Sequence, residues 1–173
     1  MIIVTGGAGF IGSNLIYELN KINQKNIIIC DIANSVLKKN YLKKTKYKEI
    51  ISPSNFFYFL EKNKKKIKYI FHLGAISKTT SADFKKLLKN NLEFSIKILA
   101  FCTYNNIGLV YASSASTYGD GSNGFHDKEN YTYLSKLKPL NLYGKSKHFF
   151  DLYISKKIKK KKITSAMGWF KIF

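Results

Sequence analysis

Residues 5–12 read TGGAGFIG, and this stretch restricts the possible folds of the chain more than any other. Gly6, Gly9 and Gly12 are spaced G-x-x-G-x-x-G. The apolar run MIIVT precedes them, and Ile11, Leu15, Ile16 and Leu19 follow at helical spacing. The reading is strand, tight turn, helix. Glycines let the chain turn sharply and let a ligand's pyrophosphate come close to the backbone. The helix start adds unbonded N–H groups and positive potential. The next apolar run, NIIIC, reads as a buried parallel strand ending at Asp31, where a carboxylate can accept from an adenosine ribose hydroxyl. The first 31 residues therefore predict a dinucleotide-binding unit. Asp31 favours a free 2′-hydroxyl, whereas Lys38, Lys39, Lys43 and Lys44 could neutralise a 2′-phosphate, so NAD and NADP both stay open at this point.

Further along, strands alternate with helices. SPSNFFYFLEKN reads as a helix capped by Ser52 with Pro53 in its first position, and KYIFHLGA as a strand. A helical stretch is expected from about Ser81 to Tyr104, and GLVYASSAS as a strand running into a small-residue loop. Tyr118 to Pro139 is polar and glycine-containing and reads as a loop. A helix carrying Tyr143 and Lys147 follows, ending in a solvated lysine run at Lys156 to Lys162. The closing run ITSAMGWFKIF is a candidate last strand, with Trp169, Phe170 and Phe173 on an edge or an exposed apolar tail. This order predicts an α/β fold, a Rossmann-like doubly wound parallel sheet with helices on both faces, in one dinucleotide-binding domain over 1–173.

Composition excludes other classes. A net charge of +20 suggests a nucleic-acid or membrane partner. Yet all 30 basic residues are lysines, and arginine, the residue of bidentate phosphate and base contacts, is absent. The lysines accompany Asn, Ile, Phe and Tyr, as in NKINQKNIII, a compositional background rather than a binding patch. Neither nucleic acid nor membrane is expected as a partner. No apolar run reaches membrane-spanning length and MIIVTGG has no leader pattern, so the expected location is cytoplasmic. Cys30 and Cys102 are expected to be buried small hydrophobes, and no metal site is expected.

The chemistry is expected where YASSASTYG ends its strand and PLNLYGKSK begins the next helix. Tyr143 and Lys147, four residues apart on a helix, face the same way. A phenol acts as a base at neutral pH only when its ionised form is stabilised, which an ammonium and a cationic cofactor ring can do. A serine hydroxyl can hold the reacting alcohol or carbonyl in line. Ser114, Tyr143 and Lys147 are the candidate catalytic residues for hydride-transfer chemistry.

TGGAGFIG, YASSASTYG and PLNLYGKSK together resemble the extended short-chain dehydrogenase/reductase superfamily of nucleotide-sugar epimerases and dehydratases. IFHLGAISKTT, Asn90 with Asn91, and KPLNLYGKSKHFFD are similar, more narrowly, to its heptose 6-epimerase branch. The resemblance implies an isomerase that inverts C6″ of an ADP-heptose, or a related nucleotide-sugar, for a lipopolysaccharide core precursor. It would do so by oxidation and re-reduction with NADP, or NAD. By position it assigns Gly6, Gly9, Phe10, Ile11 and Gly12 to the pyrophosphate, and Asp31 and Lys38 to the adenosine ribose end. Leu73, Gly74, Ala75, Ile76, Ser77 and Asn90 would line the cofactor, and Lys147 would hold the nicotinamide ribose beside Tyr143. Ile32 and Leu73 depart from the polar and acidic residues of the family pattern. The resemblance covers the family's cofactor-binding half, so a chain without the substrate domain is expected to turn over little or not at all. Homo-oligomers are expected for the full-length family.

Overall fold

The computed structural model of the chain describes residues 1–159 and 167–170. It comprises two compact units, Met1–Gly74 with Asn105–Val110, and Ala75–Tyr104 with Tyr111–Phe173. The strand order is β3-β2-β1-β4-β5-β6, a Rossmann-like α/β arrangement with helices between the strands.

In the first unit, β1 (Ile2–Thr5) and β2 (Ile27–Cys30) bury all eight of their residues, as strands covered on both faces must. They pair in parallel, Ile2 opposite Ile27, and β4 (Tyr69–His72) pairs in parallel with the other side of β1, Tyr69 opposite Ile2. The strand order thus reverses beside β1, and such switch points are where open α/β sheets bind ligands. The glycine turn leaves β1 at that point and leads into α1 (Phe10–Lys21). Ile16 of α1 packs on Val4, Ile27 and Ile29, with Leu15 and Leu19 at the margin. Leu15, Ile16 and Leu19 therefore bury the helical face that their spacing predicted, whereas Ile11, expected on the same face, is exposed in the first turn.

Two short elements follow β2: α2 (Val36–Leu42), capped by the Ser35 hydroxyl, and β3 (Glu49–Ile51), paired in parallel with β2. Because β3 carries the chain as far as Ile51, Ser52 and Pro53 are spent in a turn. The helix α3 (Phe56–Asn63) begins three residues later than its sequence signal, with Asn55 at the cap position. Cys30 in this unit and Cys102 in the second are free and buried. Loss of hydration pushes each thiol up to about 12, so neither is a ready nucleophile.

In the second unit, one long helical stretch comprises α4 (Phe84–Leu87), a π turn (Leu88–Glu93) and α5 (Phe94–Asn105), whose last residue belongs to the first unit. β5 (Gly108–Ala112) leads through Ser113 and Ser114 into a short 3₁₀ turn at Ala115–Tyr118. The segment expected as loop contains α6 (Tyr131–Leu134). Here Tyr133, Leu134 and Leu137 pack with Tyr118 in a small core of their own. Then α7 runs over Leu142–Lys159, and β6 (Met167–Phe170) lies at the sheet edge. Lys160 to Lys162 and Phe173 lie outside the described residues. Among the described residues no helix is long and apolar enough to cross a membrane.

Candidate active site

The glycine turn is held by its own backbone and by the ends of its neighbouring strands. Gly6 N–H donates to Cys30 O at 2.9 Å, and Gly9 N–H donates to Gly6 O at 3.0 Å. Gly6 sits at φ +69°, and a Cβ there would stand 2.7 Å from Gly74 Cα, so two backbones meet where no side chain fits. Thr5 Oγ1 fixes the other wall by accepting Gly74 N–H at 3.0 Å, and it lies 2.6 Å from His72 Nδ1. Gly9 is the N-cap of α1, and Phe10, Ile11 and Gly12 form its first turn, which contains no acidic side chain. First-turn N–H groups have no partner within their own helix. A backbone-lined turn at a helix start with no acidic side chain in the helix's first turn fits a pyrophosphate.

Asp31 stands at the end of β2 with its carboxylate already engaged. Its Oδ2 accepts Ala8 N–H at 3.0 Å, and its Oδ1 accepts Ile32 N–H and the Lys38 ammonium, each at 2.6 Å. Lys38 also donates to Ile32 O at 2.9 Å, so the cation is fixed at the strand end rather than free on the surface. Ile32, where the family pattern has a polar residue, is exposed. The end of β2 therefore presents one carboxylate and one ammonium together.

In the second unit, the sequence from Tyr111 to Ser116 lies along α7. Gly144 marks the first point of approach. A Cβ there would come within 2.6 Å of Ser116 O, so only glycine lets the helix lie this close. Lys147 marks the second, its ammonium 4.2 Å from the centroid of the Tyr111 ring. Asp151 marks the third, its Oδ2 accepting the Ser113 hydroxyl at 2.6 Å. Residues 144, 147 and 151 recur at the spacing of one helical face. Ser114 lies between these contacts, 6% exposed, its Oγ accepting Ser116 N–H at 3.2 Å. Tyr143 opens the helix half-buried, and Asn141 caps that helix through Oδ1 to Gly144 N–H at 2.7 Å. The strand end bearing Ser114 and the helix bearing Tyr143 and Lys147 are thus brought together.

Lys147 is 2% exposed. Burial pushes its ammonium down from 10.5 to about 7, with the Asp151 carboxylate acting in the opposite sense. A buried amine shifted by desolvation beside a specific charge partner is a candidate functional group.

The segment after β4 is held from within the second unit by Asn91, the neighbour of the asparagine expected to line the cofactor. Asn90 is exposed and turns its amide to Lys86 O on its own helix, at 2.8 Å. Asn91 is 1% exposed. Its Oδ1 accepts Ile76 N–H at 2.8 Å, while its Nδ2 donates to Ile76 O at 3.1 Å and to Ser146 Oγ at 3.0 Å. Asn91 therefore fastens the Ala75–Ser77 segment to the residue beside Lys147. The only sequence signal for this was the doublet itself. Ala75 and Ile76 are half-buried and Ser77 is exposed, while Leu73 packs at the margin of the first unit's core. Among the described residues no three His, Cys, Asp or Glu side chains gather as a metal site.

Known proteins resemble this chain in sequence and in fold. The chain is 40% identical over its whole length to an ADP-L-glycero-D-manno-heptose-6-epimerase of Brachyspira hyodysenteriae, of which it spans 54%. Its fold matches the Helicobacter pylori ADP-L-glycero-D-manno-heptose-6-epimerase with a TM-score of 0.74 at 25% identity, covering 98% of this chain and 53% of that one. A UDP-N-acetylglucosamine 4-epimerase from Methanobrevibacter ruminantium matches at 0.75 and 27% identity, with the same two coverages. The chain thus spans about half the length of the relatives it matches. The pattern of the NAD dependent epimerase/dehydratase family runs through residues 2–168, from β1 into β6 and across both the glycine turn and α7; the chain belongs to that family.

Proposed function

We propose that this chain is the dinucleotide-binding and proton-transfer half of a cytoplasmic nucleotide-sugar epimerase acting at C6″ of an ADP-heptose. The contact stripe that lays the Tyr111–Ser116 segment, and Ser114 within it, along the helix bearing Tyr143 and Lys147 supports the reading. The 40% identity to a heptose epimerase supports the choice of sugar.

In this reading the turn at Gly6, Gly9 and Gly12 holds the pyrophosphate, with the N–H groups of Phe10 and Ile11 facing its charge. Asp31 accepts from the adenosine ribose. Lys38, only 2.6 Å from Asp31, offsets the carboxylate and favours the 2′-phosphate of NADP over NAD. Leu73 to Ser77 line the dinucleotide, and Asn91 holds that segment in place through Ile76. When bound, the nicotinamide supplies a hydride acceptor and donor. Tyr143 takes the proton of the C6″ hydroxyl during oxidation and returns one during reduction on the opposite face. Ser114 donates to the reacting oxygen and fixes its direction. Lys147 holds the nicotinamide ribose, and its charge favours the phenolate of Tyr143.

The test is to incubate the purified protein with NADP and ADP-D-glycero-D-manno-heptose and to follow the configuration at C6″ by proton NMR. Inversion far slower than that of a full-length relative, and absent in Tyr143→Phe, supports the proposal. Inversion of a UDP-hexosamine with none of the heptose would keep the epimerase class and overturn the substrate.

A further inference from the structure

Asp151 has no part in the chemistry above, yet it is a buried carboxylate in the middle of α7. Its Oδ2 accepts the hydroxyl of Ser113, the residue before Ser114, at 2.6 Å. It also lies one turn beyond Lys147, on the face that Tyr143 and Lys147 share. A short bond to a carboxylate is among the stronger hydrogen bonds available to a serine. A buried ammonium with no counter-charge tends to give up its proton.

We infer that Asp151 is a positioning residue: it pins the Ser113–Ser114 segment to α7 and supplies the negative charge that keeps the Lys147 ammonium protonated. This rests on the proposed roles of Ser114 and Lys147. Both tasks fall to one group because the Tyr111–Ser113 segment packs on the face of α7 that carries Lys147 and Asp151. The Tyr111 ring offers Lys147 only its quadrupole, which attracts a cation without a formal charge. Among the described residues, the titratable groups facing Lys147 are Tyr111 from β5, and Tyr143 and Asp151 one turn before and after it on α7. The π turn contributes the neutral amide of Asn91 at Ser146. His148, the next residue of α7, points from a different face. The shift of Lys147 agrees with this assignment, since Asp151 raises what burial lowers.

The experiment follows the Lys147 side-chain nitrogen by NMR through a pH titration of the full chain, in the wild type, Asp151→Asn and Asp151→Glu. Asp151→Asn keeps the shape and an acceptor for Ser113 but removes the charge. The Lys147 midpoint should fall by at least one pH unit, a tenfold loss of proton affinity, while Asp151→Glu stays within about half a unit. An unchanged midpoint in Asp151→Asn overturns the inference. Should that variant not fold, a double-mutant cycle of Lys147→Met with Asp151→Asn replaces it. The inference expects at least tenfold coupling in the unfolding constant, and additive effects overturn it. Neither readout uses cofactor or substrate. A failed epimerase assay beside a shifted midpoint would therefore overturn the proposed function alone.

Discussion

The Lys147 ammonium lies over the face of the Tyr111 ring, 4.2 Å from its centroid, and both residues are buried. This pair gives the stability of the protein a pH dependence of definite sign. In the unfolded chain Lys147 keeps its proton up to about 10.5, whereas in the folded chain it titrates at about 7. Between those values the unfolded state binds more protons, so stability rises with pH. Below pH 7 both states are protonated and the penalty of burial is constant. Lys147→Met should remove a rise of up to about 2.7 kcal/mol between pH 7 and 9, at about 1.36 kcal/mol per unit. The raised thiols of Cys30 and Cys102 act with the opposite sign, but only above their ordinary value of 9. Urea unfolding of both proteins at pH 7, 8 and 9 reads the difference, and parallel slopes would count against the burial of a charged Lys147.

Gly6→Ala places a Cβ against the Gly74 backbone in a conformation with positive φ. The expected cost is about 2 kcal/mol of stability or more, from the left-handed backbone and the contact together. Binding of NADPH should fall by at least a hundredfold, read by fluorescence titration, because the turn must open to accept the side chain. Unchanged affinity would place the pyrophosphate elsewhere.

Lys38→Met removes the cation beside Asp31 and leaves its carboxylate to the N–H groups of Ala8 and Ile32. NADP affinity should drop about tenfold more than NAD affinity, the effect of about 1.4 kcal/mol on the 2′-phosphate alone. Calorimetric titration with both dinucleotides makes the comparison. Equal losses would assign Lys38 to the fold of the strand end rather than to the choice of cofactor.

Asn91→Ala deletes the partners of both backbone groups of Ile76 and of Ser146 Oγ at once. Leaving these groups without their bonds should cost about 2–4 kcal/mol in chemical denaturation. Asn90→Ala removes only an exposed bond to Lys86 O and should stay within about 0.5 kcal/mol of the wild type. Equal effects would mean that the inward residue of the pair is misassigned.

The turn at Gly6 and the Tyr143–Lys147 pair were readable from the sequence because each is a local pattern. One is set by backbone conformation within eight residues, the other by one turn of helix. The choice between Asn90 and Asn91 was not readable. The π turn at Leu88–Glu93 offsets the 3.6-residue period by one position and so changes which asparagine faces inward. Ser52 and Pro53 have the chemistry of a helix start, but β3 claims the chain up to Ile51 and spends them in a turn. β3 itself carries no buried residue and alternates too little to announce a strand. Asp151 resembled any other charge on a lysine-rich helix. The hydrogen bond from Ser113, 38 residues earlier in the chain, sets it apart from the others.

The central claim, that this chain holds a nicotinamide dinucleotide at the Gly6 turn, is tested most directly by titrating the purified protein with NADPH and NADH while following its unfolding. The account predicts one dinucleotide bound per chain, NADPH the tighter. It predicts a gain of about 2.7 kcal/mol in unfolding free energy at a hundred times Kd, absent in Gly6→Ala. A wild-type protein that unfolds identically with and without millimolar NADPH or NADH would contradict it.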